Sequence, residues 1–271
     1  MFDGVFESAE TADAWAKGAA QRAEYLLAST ERMLDAAHLL PGSRVLDVGT
    51  GTGDTAVLAA RRVGPKGFVL ATDSSVQMLE VAVAAARAQG LANVETRQMD
   101  GSRLTVEGQF DAVIGRHSMQ FLPGWPEPLK GFLSALRAGG RLSFMVWGPV
   151  ADNPYSALPL TVAHKRGWLR TEEVAEATPF SLGDAERLAI DLESAGFHDV
   201  QVEPVRFKVR LALQAALANR MHSPMFTTIA NGLGREDRAD YEQAMSDALL
   251  RDADGDRVIA RGLTLVASGT A

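Results

Sequence analysis

A chain of 271 residues with 46% hydrophobic residues holds enough apolar material for one large α/β domain or two small ones, and no part of it has the composition of a disordered segment. A net charge of −7 argues against a basic face for nucleic acid or anionic membrane and favours small neutral, cationic or apolar partners. With no cysteine there can be no disulfide, thiolate metal site or cysteine nucleophile, which fits a reducing cytoplasm.

No apolar run reaches the roughly 18 residues that span a bilayer. Asp3, Glu7 and Glu10 stand where an export signal would carry basic residues, so the expected location is cytoplasmic. Gln21 to Leu39 has the spacing of an amphipathic helix, with Leu26, Leu27, Met33, Leu34 and Ala37 recurring before Pro41-Gly42 stops it. A strand over Arg44 to Val48 opens an alternation. Helix Asp54 to Val63, strand Phe68 to Thr72, helix Ser75 to Gln89, strand Val94 to Met99, strand Phe110 to Gly115, helix Glu127 to Arg137 and strand Arg141 to Trp147 follow. Short apolar runs separated by helices predict a parallel sheet covered on both faces. From Gly148 to Phe180 four prolines break the pattern around one short helix near Tyr155 to Lys165, which reads as a lid. Asp184 is placed to cap a helix ending at Gly196; strand Val200 to Arg210, a helical stretch Leu211 to Leu250 and strand Arg257 to Val266 complete the chain. The expected organisation is a single domain: N-terminal helices over 1–40, a ligand-binding core over 41–147, and a remainder with a helical insertion over 211–250.

Gly49, Gly51 and Gly53 lie where the first strand turns into a helix, a place where backbone must bend tightly and approach a ligand. Gly51 to Ala56 matches the G-x-G-x-x-G/A dinucleotide pattern, and Asp73 stands twenty residues beyond Gly53, where a ribose-binding acid belongs. Charge opposes a pyrophosphate: Asp47 and Asp54 bracket the loop, and the first basic residue after it is Arg61. A phosphate-free cation such as S-adenosylmethionine suits the loop better. Asp47 can hold its ammonium, the loop amides and helix start can face its carboxylate, and Asp73 can take the ribose hydroxyls.

These residues resemble the class I S-adenosylmethionine-dependent methyltransferases. Val45 to Gly53 resembles that family's first motif and Ala71-Thr-Asp73-Ser-Ser-Val-Gln-Met78-Leu its second. Gln98-Met-Asp100-Gly101 is similar to the third-strand motif, Phe110 to Pro123 to the fourth strand and its loop, and Leu136 to Leu142 to the turn into the fifth. A weaker likeness at Phe180 to Asp184 and Ala195 to Val200 points to the ubiquinone-biosynthesis-like small-molecule branch. The resemblance implies a Rossmann-like, doubly wound, seven-stranded sheet whose last strand is antiparallel. It also implies a cofactor site built from Asp47, Gly49, Thr50, Gly51, Gly53, Asp73, Ser74, Met78, Asp100, Gly101 and the carbonyl of Arg116, whose side chain is left for a surface ion pair.

Each residue has a plainer alternative: a strand-end carboxylate for Asp47, a helix cap for Asp73, ordinary core for Met78, a turn residue for Asp100. His117 follows the fourth strand and is the candidate general base, because histidine titrates near neutral pH; it serves equally as a loop residue shaping the pocket. Trp15 and Tyr25 are candidates to close over the cofactor, and Trp168, Phe180 and Met221 to Met225 to wall an acceptor pocket. His164, His198 and His222 show no metal-ligand spacing, and no metal is expected. Asp152-Asn-Pro-Tyr155 imitates a nitrogen-methylation signature but follows the wrong strand; Asp252, Asp254 and Asp256 imitate a calcium loop with its glycine misplaced, and read as a solvated turn. The expected activity is methyl transfer to a small, largely apolar acceptor, with oxygen or carbon favoured as the atom methylated. The alternatives are a rearrangement, decarboxylation or cyclisation on the same fold, and a nicotinamide oxidoreductase.

Overall fold

The computed structural model describes residues 15–106, 108–175, 178–251 and 253–271. The alternation read from the sequence appears as α1 (Ala19–Ala36), β1 (Arg44–Val48), α2 (Asp54–Val63), β2 (Phe68–Asp73), α3 (Val76–Ala88), β3 (Val94–Gln98), β4 (Phe110–Arg116), α4 (Pro128–Ala135) and β5 (Leu136–Trp147). After it come α5 (Leu158–Lys165), α6 (Thr171–Ala175), α7 (Ala185–Ser194), β6 (His198–Ala212), α8 (Leu213–Met221), α9 (Pro224–Asn231), α10 (Arg235–Arg251), β7 (Ala253–Asp254) and β8 (Arg257–Thr270).

The main sheet runs β3-β2-β1-β4-β5-β8-β6, and the two-residue β7 pairs with β8 alone. Strands β1 to β5 are mutually parallel, while β8 is antiparallel to both β5 and β6. Seven strands in the ladder, the last reversed, is the expected arrangement; β7 is the addition. It forms because Gly255, at φ +63°, closes a tight hairpin at the acidic turn. Asp252 of that turn lies outside the described residues.

Both faces of the sheet are buried, as parallel strands require. Val45, Val69, Ala112, Ile114 and Met145 point to one face, where α1 contributes Leu26, Met33 and Leu34 and α2 contributes Ala56, Ala59 and Val63. Leu46, Val48, Leu70, Val113 and Phe144 point to the other, against Leu129 and Phe132 of α4 and Leu188 and Leu192 of α7. Helix α7 begins as its sequence suggests, with the Asp184 carboxylate accepting from the amides of Glu186 and Arg187. The helix expected to reach Arg137 stops at Ala135 instead, because Leu136 turns extended and pairs with Phe110. The stretch expected to be helical from 211 to 250 begins two residues later, because Leu211 and Ala212 stay in β6, and comprises three helices divided at Ser223-Pro224 and at Gly232 to Gly234.

Helices α8 to α10 enter from the end of β6 and return to β8, with Ala212 and Arg257 directly paired in the ladder. They extend the first core: Phe226 of α9 stacks on Tyr241 of α10 at 4.7 Å, and the Tyr241 hydroxyl donates to the Pro159 carbonyl at 2.9 Å. No described helix is long and apolar enough to cross a membrane.

Candidate active site

The chain crosses from β1 to β2 and β3 on one side and then returns to β4 and β5 on the other, so the strand order reverses between β1 and β4. Ligands of open α/β sheets bind beyond the carboxyl ends of the strands at such a reversal. There the structure has a cavity of about 830 Å³, lined by the loop after β1, by Asp73 and Ser74 after β2, by Met99 to Gly101 after β3, and by Arg116 to Ser118 after β4. Trp147 at the end of β5 closes the floor.

The loop glycines have separate jobs. Gly49 has φ +67°, and a Cβ there would lie 2.4 Å from that of Ser118; Gly53 has φ +84°, and its Cβ would meet the Ala82 backbone of α3 at 2.9 Å. The first brings the β4 loop onto the β1 loop, and the second lets α2 start directly against α3.

Asp73 ties this loop to the second strand: one carboxylate oxygen accepts from the Gly51 amide at 2.9 Å and the other from the Ser75 amide at 3.0 Å. The cap of α3 is Ser75, whose hydroxyl accepts from the Met78 amide. Asp73 is therefore not the cap, and each of its oxygens keeps acceptor capacity toward the cavity. Burial raises its pKa. Asp100 sits beyond β3, with one oxygen accepting from the amide and hydroxyl of Ser102. Ser74, Met78 and Gly101 line the same wall.

Asp47 lies beneath the loop and is fully buried. One oxygen accepts from the Thr50 hydroxyl at 2.7 Å; the other is buried without a partner. Burial pushes its pKa up to about 7, against the Thr50 hydrogen bond and the Arg116 charge, which favour the anion. A carboxylate with one orphaned oxygen at this depth fits a cation bound above it.

The expected setting of Arg116 needs correction. Its side chain turns inward to pair with Asp54 at 2.8 Å, both groups being largely buried, in place of the surface ion pair expected of it. Asp54 is thus neutralised by a residue far along the chain, which leaves Asp47 and Asp73 as the carboxyl groups framing the loop. The basic residues missed by reading outward from the loop are Arg116 from β4 and Arg22 from α1.

His117 stacks on Trp147 with ring centres 4.1 Å apart, sits in the left-handed region at φ +54°, and has both ring nitrogens buried without partners. Burial, with Arg116 and Arg22 nearby, holds its pKa well below the ordinary histidine value. Titration near neutral pH, the reason given for choosing it as a base, does not apply to this imidazole; it is a neutral group at pH 7.

The cover departs from its expected composition. Residues 1–14, part of the expected N-terminal helices over 1–40, lie outside the described residues. Trp15 faces Gly51, and Tyr25 lines the cavity while its ring packs on Tyr155 and Phe207. Of the segment expected as lid, Ser156 and Pro179 reach the cavity; α8 and the start of α9 supply the rest, from Ala215 to Met225. Trp168 packs on Tyr241, and Phe180 stands behind Trp147. Asn153 of the methylation-like tetrapeptide is consumed structurally, donating to the carbonyls of Gly148 and Pro149 and accepting from the Leu263 amide. His164 and His222 each bind a nearby backbone carbonyl.

A family model described as a methyltransferase domain matches residues 45–140. Nocamycin O-methyltransferase of Saccharothrix syringae is 30% identical over 190 residues, covering 66% of this chain and 67% of that protein. The chain belongs to the class I S-adenosylmethionine-dependent methyltransferases. The ubiquinone/menaquinone biosynthesis C-methyltransferase UbiE of Pseudomonas putida is 36% identical over 103 residues, 37% of this chain and 40% of that protein. In fold the methyltransferase resembles phosphoethanolamine N-methyltransferase 2 of Haemonchus contortus, solved with S-adenosyl-L-methionine, with a TM-score of 0.54 and 18% identity over 89% of this chain and 52% of that one. Its cofactor is S-adenosylmethionine.

The sequence did not single out Arg22, Gln120 or Arg220 as pocket residues. Gln120 and Arg220 are buried polar side chains on the cavity wall. The signal available for Gln120 was a polar residue between Met119 and Phe121. Arg220 carried none, because it belongs to an insertion with no motif.

Proposed function

We propose that this methyltransferase transfers a methyl group to a small molecule seated between the β4 and β5 loops and the α8–α9 cover, with oxygen or carbon as the acceptor atom. The observation that carries this is the pairing of one orphaned carboxylate oxygen, on Asp47, with a closed pocket floor of His117 and Trp147. The first suits the ammonium of the cofactor and the second an organic acceptor. Nocamycin O-methyltransferase and UbiE, by their names an O- and a C-methyltransferase, support the choice of atom. A cytoplasmic location is part of the same reading, supported by the lack of cysteine.

In this reading Asp47 holds the ammonium, and Asp73 accepts from the ribose hydroxyls with the lone pairs its two amide bonds leave free. Asp100 and Gly101 border the adenine, with Met78 packed beneath it, and Gly49 to Gly53 and Ser74 shape the backbone cradle. Arg22 stands beside the glycine loop through Trp15, whose carbonyl it binds at 2.6 Å and whose ring it overlies at 4.0 Å. It is the residue assigned to the cofactor carboxylate. The bound cofactor supplies an activated methyl on a cationic sulfur. The protein's part is alignment and exclusion of water, for which a wall built from α1, α8 and α9 is suited. His117, neutral and with two free ring nitrogens, orients an acceptor hydroxyl or enol and takes up its proton as the acceptor oxygen or carbon gains the methyl.

The test is a screen of small-molecule acceptors with methyl-labelled S-adenosylmethionine, reading both labelled product and S-adenosylhomocysteine. Stoichiometric formation of the two is the expected result. Turnover of an acceptor with no S-adenosylhomocysteine would overturn the proposal in favour of a reaction without methyl transfer.

A further inference from the structure

Among the described residues, the cavity wall carries two buried arginines with no carboxylate within 4.0 Å, Arg22 and Arg220. A guanidinium taken out of water without a counter-ion costs several kcal/mol unless something binds it. Arg22 is accounted for by the cofactor carboxylate, and Asp54 faces it at longer range. Arg220 lies in the last turn of α8, near enough to Arg22 for its charge to be felt there. Its guanidinium donates to the Ser156 carbonyl at 3.3 Å and to the Asn219 side chain, and lies 4.7 Å over the Tyr155 ring; its Nε is buried with no partner.

The Tyr155 hydroxyl interacts with this guanidinium, whereas the Ser156 hydroxyl, beside the carbonyl that the guanidinium binds, is buried with no partner. Both amide atoms of Gln120, also on the cavity wall, are buried and unpaired. One main-chain carbonyl and the Asn219 amide do not explain why a fork of donors with an unused Nε and an unpaired Ser156 hydroxyl should be buried together on the cavity wall. A planar anion does, because a guanidinium fork matches a carboxylate and hydroxyls donate to its remaining lone pairs.

We propose that the acceptor carries a carboxylate, held by Arg220 with Ser156 and remote from the atom that receives the methyl. The proposal rests on the methyl-transfer reading above and names its substrate class: an acid with an apolar body. Arg220 is a specificity-determining residue in this scheme, and it touches neither the cofactor nor the transferred group.

Calorimetry on the full chain saturated with S-adenosylhomocysteine, using 2-naphthoate and 2-naphthamide as matched probes, tests it. The expected result is at least a tenfold preference for the carboxylate, lost in Arg220→Gln and intermediate in Arg220→Lys, with affinity for S-adenosylhomocysteine unchanged in both. Ser156→Ala should lower naphthoate affinity several-fold and leave naphthamide unaffected. Equal affinities in the unmodified protein, binding of neither probe, or a preference that survives Arg220→Gln would each overturn the proposal. Failure of the unmodified protein to bind S-adenosylhomocysteine at all would instead count against the cofactor assignments, so the two readings fail separately.

Discussion

Asp47 couples ligand binding to stability. Its pKa is raised to about 7 from an ordinary value of 3.8, so between those pH values the folded state keeps a proton that the unfolded chain has lost. The stability this contributes is complete below pH 3.8 and disappears as pH rises through about 7. Asp47→Asn should therefore raise the melting temperature at pH 8 while weakening cofactor binding tenfold or more, a trade that paired melting curves and calorimetry will read. Binding at pH 6 should also release up to about one proton, because the cofactor ammonium draws Asp47 into its anionic form; calorimetry in buffers of different ionisation enthalpy measures it. His117 behaves oppositely. With its pKa already well below neutral, turnover at saturating cofactor should be flat between pH 6 and 8, and a profile bending near 6.5 would mean an ordinary imidazole. His117→Ala should slow turnover on the order of a hundredfold, within the usual range for a lost acid–base group.

At the scale of elements, the boundaries that the sequence located best are those with local chemistry at both ends. Helix α2, bounded by Gly53 and Gly64, falls where its sequence places it, and α7 begins at the Asp184 cap. The cover was less legible, because its helices close over the site through contacts with α5 and β6 that no local pattern announces. Proline density marked 148–180 as the lid, whereas the stretch that meets the cavity most fully is 215–225. Substrate must pass under it, so amide hydrogens over 213–231 should exchange at least several-fold more slowly once S-adenosylhomocysteine is bound. Exchange over β1 and β4 should not change. Protection confined to 148–175 would restore the original lid.

For the molecule as a whole, ligand binding to the folded state alone stabilises by about 2.7 kcal/mol at a hundredfold excess over the dissociation constant. For a chain of this size that corresponds to a rise in melting temperature on the order of 5–10 °C with S-adenosylhomocysteine, and none with NAD. The strand ends that line the cavity were legible in the sequence because each of the five motifs is a short local pattern at the end of one strand. The acceptor half was not. Gln120 and Arg220 come from two separate elements, and the net charge of −7 pointed away from an acidic ligand. Bulk charge describes the outer surface, whereas a sealed pocket makes its own field.

The direct pairing of Ala212 with Arg257 has a practical consequence. Everything between them leaves and rejoins the sheet through adjacent rungs of one ladder, so this module can be exchanged between relatives without rethreading the nucleoside-binding half. Diversification of such enzymes toward new acceptors then becomes a matter of splicing at two neighbouring points, with the chemistry of the donor left in place.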